Sequence, residues 1–89
     1  MAKRDRLEIL KDTLKIIHDN KNFIKPTVLL RKSKMSSLRF KEYYNELISR
    51  SFIKENTEGT EKRISLTDKG FKFLDRYKSI IDFIEEFDL

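Results

Sequence analysis

The sequence predicts a mainly α fold with a small β-hairpin, an α+β arrangement of four helices in which the hairpin precedes the long last helix. Two observations predict it. Apolar residues recur at helical spacing over most of the chain, whereas between Phe52 and Leu66 they alternate with polar residues around a glycine. A third bounds the architecture: the 89 residues include only two glycines and one proline, so no flexible linker divides them, and residues 1–89 are expected to form a single domain.

Taken in order, a first helix is expected over residues 5–20, because Leu7, Leu10, Leu14 and Ile17 form a helical stripe that Ile9 and Ile16 widen. Asp19-Asn20-Lys21-Asn22 is a polar stop, and Phe23-Ile24 a short apolar pair suited to an edge strand. Pro26 and Thr27 open a second, short helix, since proline is tolerated in a first turn. Its Leu29 and Leu30 are expected inside and its Arg31 and Lys32 outside. Ser33-Lys34-Met35 forms a turn. Ser36 or Ser37 can cap a third helix running to about Arg50, with Phe40, Tyr43, Tyr44, Leu47 and Ile48 as its apolar face. Phe52–Asn56 and Lys62–Leu66 are the hairpin strands, turning at Thr57-Glu58-Gly59-Thr60. Thr67-Asp68 starts a last helix, over 67–89, with the acid at its positive end. Two helices joined by a three-residue turn and followed at once by a hairpin describe a winged helix-turn-helix.

The formal net charge is +5, unevenly spread. Lys21, Lys25, Arg31, Lys32, Lys34, Arg39 and Lys41 follow one another with no acid between them, whereas Asp82, Glu85, Glu86 and Asp88 follow Lys78 with no base. A one-sided basic block suits a polyanionic partner. Other chemistry has little to work with. The chain has no cysteine, one histidine (His18) and no glycine-rich loop, and the late acids lack calcium-loop spacing. No enzymatic activity, cofactor or metal site is expected. The apolar runs are too short for a membrane span, and the charged start Met1-Ala2-Lys3-Arg4-Asp5 does not read as a secretory signal. A cytoplasmic, nucleoid-associated location is expected.

The stretch from Lys25 to Leu74 resembles the winged helix-turn-helix family common in archaea, whose small members are DNA-binding chromatin proteins and transcription regulators. The resemblance rests on Thr27 with Leu29-Leu30, Met35-Ser36 at the turn, Tyr43 and Leu47, Phe52-Ile53 opening the wing, and Leu66-Thr67-Asp68-Lys69-Gly70 followed by Phe73-Leu74. It departs at Ser37, where members often carry an aromatic residue. The resemblance implies double-stranded DNA as partner and a homodimer formed through the last helix.

In such a fold the helix over 36–50 enters the major groove, with the wing over 52–66 beside it. Its outward residues Ser36, Ser37, Arg39, Lys41 and Asn45 are the candidate base contacts. Arg39 suits guanine and Asn45 adenine, and the serines either reach DNA or are spent on capping. Lys25, Thr27, Arg31, Lys32 and Lys34 are candidate phosphate contacts, which set affinity and register rather than sequence. Lys62 and Arg63 lie on the wing, opposed there by Glu58 and Glu61. On the last helix Phe73, Tyr77, Ile80, Ile84 and Phe87 form a heptad-like seam, the candidate dimer interface. Two alternatives to a sequence-specific regulator stand beside it: a weakly specific chromatin protein, and a winged helix used as a protein-contact adaptor.

Overall fold

The computed structural model describes residues 6–89, in the order α1 (Arg6–Asp19), α2 (Pro26–Ser33), α3 (Ser37–Ser49), β1 (Ile53–Glu58), β2 (Glu61–Leu66) and α4 (Asp68–Glu86). Asp5, the expected first residue of the first helix, lies outside the described residues.

Each boundary has a local cause. Pro26 occupies the first turn of α2, where its missing N–H would have no partner. Lys34, in the left-handed region, ends that helix. Ser36 caps α3: its Oγ accepts from the Arg39 N–H at 3.2 Å, the role expected of Ser36 or Ser37. The hairpin is antiparallel, Ile53 opposite Leu66 and Glu58 opposite Glu61. Its two-residue loop takes Gly59 at φ +62°, the positive φ that tight hairpin loops demand. Thr67 caps α4 by accepting from the Gly70 N–H.

The core gathers Leu10, Leu14 and Ile17 from α1, Ile24, Leu29 of α2, Phe40 and Leu47 of α3, and Ile53, Ile64 and Leu66 of the hairpin. Thr13 is buried among them, and its hydroxyl donates to the Ile9 carbonyl at 2.8 Å. The only fully buried residue of α4 is Gly70; Phe73 and Leu74 pack half-buried against the core. A methyl at Gly70 would run into the Phe52 carbonyl, so the glycine sets how closely α4 approaches the start of β1. The Leu66-Thr67-Asp68-Lys69-Gly70 signature thus has a physical meaning: a core residue, a cap and a close approach.

Five expectations change. Thr57 and Glu58, expected in the hairpin turn, pair with Lys62 and Glu61 instead, and Phe52 falls just before β1. The strand at Phe23-Ile24 shrinks to one bridge, Ile24 to Ile64. Left-handed Lys21 and Asn22 precede it and Pro26 follows, leaving no room for more. The Asn22 Oδ1 extends the pairing by accepting from the Leu66 N–H at 2.7 Å. Leu30 is half-buried rather than inside. Leu7 and Ile48 stay exposed, 51% and 36%, because neighbours cover only the centres of their helix stripes. Finally α4 ends at Glu86, short of the expected 89.

Candidate nucleic-acid interface

The turn Lys34-Met35-Ser36 holds α2 and α3 together, and half-buried Met35 packs its side chain against the core. Phe40 and Leu47 anchor α3 inward. Successive helical residues rotate by about 100°, so the opposite face carries Leu38, Glu42 and Asn45, all exposed. Arg39 and Lys41, about 200° apart, fall on opposite flanks of that face. Arg39 lies with its guanidinium 5.9 Å from the Tyr43 ring centre. Ser37 is exposed beside Lys41, and Ser36 is exposed with its lone pair engaged in the cap but its proton free to donate.

The expected phosphate contacts Lys25, Thr27, Arg31, Lys32 and Lys34 are all exposed on α2 and its ends. Two have partners: Lys32 Nζ donates to Asn20 Oδ1 at 3.1 Å, and Lys25 lies 3.5 Å from Glu61. On the wing, Lys62 is 3.6 Å from Glu55, and half-buried Arg63 is 3.2 Å from Glu61 and rests on the Phe23 ring. Hydrogen bonding from Arg63, helped by Lys25, holds the Glu61 carboxyl below the usual glutamate range. Of these candidate contacts, Arg31, Lys32, Lys34, Arg39 and Lys41 have no acidic partner among the described residues.

Four residues of this surface escape the sequence reading. Leu38 is 74% exposed in the first turn of α3. Glu42 follows it one turn on. Arg6 of α1 reaches across to Glu46 of α3, which also takes Arg50 at 2.9 Å. The signal for Leu38 was present: two residues before Phe40, it lies off the apolar stripe.

The expected dimer seam divides in two. Phe73 and Tyr77 are half-buried, with the Phe73 ring 5.0 Å from Phe52 and 6.2 Å from Tyr77. Ile80 and Phe87 are each 57% exposed and Ile84 36%. Phe83, outside the expected seam, is also exposed, its ring 4.9 Å from Phe87. Among the described residues no helix is long and apolar enough to cross a membrane, and no three His, Cys, Asp or Glu side chains gather as a metal site.

A sequence model of the winged helix-turn-helix family matches residues 3–85. Among solved structures, F-93 of SSV1 is similar at 30% identity and a TM-score of 0.68, over 89% of this chain and 91% of that one. Sso10a-2, a DNA-binding protein from Sulfolobus solfataricus, shares the fold at 19% identity and TM-score 0.74, over 94% of this chain and 85% of that one. MepR, a transcription regulator of the Staphylococcus aureus multidrug efflux pump MepA, shares it at 18% and 0.76, over 88% of this chain and 59% of its own. No curated protein matches the chain.

Proposed function

The chain belongs to the winged helix-turn-helix family, and on that premise we propose that it binds double-stranded DNA as a homodimeric transcription regulator at the nucleoid, not as an enzyme. In this reading α3 enters the major groove. Asn45 faces the bases, Ser36 and Ser37 lie at the groove edge, and Arg39 and Lys41 flank the helix within reach of phosphate or a guanine edge. Lys25, Thr27, Arg31, Lys32 and Lys34 lie against the backbone. Lys62 and Arg63 bring the wing alongside, once Glu61 and Glu55 release or share them. A two-fold dimer through Ile80, Ile84 and Phe87, continued inward by Tyr77 and Phe73, would present two such helices to a roughly palindromic site.

The observation that carries the reading is the set of five exposed cations without acidic partners, Arg31, Lys32, Lys34, Arg39 and Lys41, on the two helices and turn of the motif. Cations gathered on one surface repel each other, and a polyanion relieves that repulsion. The test is anisotropy of a labelled random-sequence duplex between about 50 and 200 mM salt. Six phosphate contacts give a log–log slope near −5 and a loss of about 10³-fold across that range. Arg31→Ala should weaken binding to all sequences alike and flatten the slope by about one. A protein that binds every duplex equally well would be the weakly specific chromatin protein. Absence of binding at the lowest salt would overturn the proposal and assign the fold to protein contact.

A further inference from the structure

We propose that Leu38 and Glu42 read pyrimidines in the major groove, Leu38 by packing on a thymine methyl and Glu42 by accepting from a cytosine amino group. This rests on the DNA-binding reading above. The argument begins with position. Leu38, Glu42 and Asn45 stand at i, i+4 and i+7, within an arc of about 60° opposite the anchors Phe40 and Leu47. A helix lying in the groove turns this central row to the base edges. Arg39 and Lys41, on the flanks, fall toward the phosphate rows that bound the groove on either side.

The chemistry of the row is unlike that of its surroundings. Leu38 is 74% exposed, a large apolar side chain among serines and cations that does nothing for the core of its own chain. The thymine C5-methyl is the apolar group that the major groove offers. Glu42 is an acid on the central row of a basic surface. Arg6 and Arg39 line the same shallow depression, yet among the described residues neither is in ion-pair contact with it. Glu46, one turn on, holds two arginines. A carboxylate only accepts hydrogen bonds, so Glu42 repels phosphate, guanine O6 and N7, and thymine O4. Adenine sets an acceptor N7 beside its amino donor. The cytosine N4 amino group is a donor without that neighbour, and it is the edge a carboxylate fits. Four residues of helix rise about 6 Å, so the cytosine and the thymine lie one to two base pairs apart.

The test is selection from a randomised duplex library with the full chain, followed by competition with duplexes changed at single positions. The wild type should favour a C·G pair over the alternatives at one position of each half-site by about 5- to 150-fold. Glu42→Ala should abolish that preference while tightening binding to random DNA. Glu42→Gln should move the preference to adenine, which an amide matches through both N6 and N7. Replacing the neighbouring thymine by uracil removes only the methyl; it should weaken the wild type and leave Leu38→Ala unaffected. Both side chains are exposed, so neither change disturbs the core. If Glu42→Ala raises affinity for every duplex alike with the order of preference intact, the proposal falls while DNA binding stands. If the wild type binds no duplex at low salt, both fall.

Discussion

Lys34 joins α2 to α3 with φ at +60°, a conformation that costs a non-glycine residue about 1–2 kcal/mol and that helix ends usually give to glycine. The lysine is thus a poor choice for stability and a good one for placing a cation at the motif's turn. Lys34→Gly should therefore separate the two properties. Stability should rise by up to about 1 kcal/mol in chemical denaturation, less than the full strain because glycine loses more freedom on folding. Affinity for DNA should fall, with the salt slope shallower by about one. Gly70 is the opposite case, a residue fixed by packing. Gly70→Ala would press a methyl against the Phe52 backbone and should lower stability by about 1–3 kcal/mol, with an earlier thermal midpoint. Both residues were visible in the sequence, Lys34 in the turn and Gly70 in the signature, but their meaning was not. A backbone angle and a contact between residues 18 apart exist only once the chain is folded.

Elements show the same division more broadly. The caps, the turn and the hairpin were legible because each is set by residues within a few positions of one another: Pro26 for α2, Ser36 for α3, Gly59 for the loop, Thr67 for α4. Helix faces were less legible. Periodicity draws a stripe on an isolated helix, but neighbours decide how much of it is covered, and so Leu7 and Ile48 are left exposed. The wing was read from sequence as a balance between two cations and two acids, and the structure gives that balance a geometry. Glu61 faces Glu58 across the strands, an unfavourable like-charge pair, and is compensated by Arg63 and Lys25. Because those cations hold its carboxyl charged, the pairing is intact at neutral pH and through the ordinary glutamate range. It is lost only when acid protonates Glu61 below that range. Side-chain NMR should find Glu61 titrating below the ordinary range, and Arg63→Ala should move its midpoint upward. At neutral pH, Glu61→Gln should release Lys25 and tighten binding to DNA, a change readable in the same anisotropy assay.

At the scale of the molecule the governing fact is asymmetry. The described residues span 50 × 28 × 21 Å, and α4 follows a core to which it contributes one buried residue. Its first half packs on α1 and the hairpin, with Phe73 against Phe52 and Leu74 half-buried on the core, whereas Ile80, Ile81, Phe83, Ile84 and Phe87 are all exposed. Single exposed apolar residues are ordinary on a protein surface; five over the eight positions from Ile80 to Phe87, the end of α4 and its C-cap, are a patch of the kind that marks an interaction site. The repeat Phe73, Tyr77, Ile80, Ile84, Phe87 alternates steps of four and three, the spacing at which two helices pack side by side. A second copy meeting this row across a two-fold axis would let each residue of the row serve both chains. Sedimentation should then give twice the mass of one chain at micromolar concentration. The double variant Ile80→Asp, Ile84→Asp should sediment as a single chain. It should keep its thermal midpoint when the two are compared at high dilution, because neither side chain belongs to the core. Its affinity for a palindromic duplex should drop toward that for a half-site, since two linked α3 helices bind with an effective concentration that a lone one lacks. A double variant that remained dimeric would move the interface elsewhere on the molecule, and one that lost its fold would show that the outer half of α4 supports its own chain.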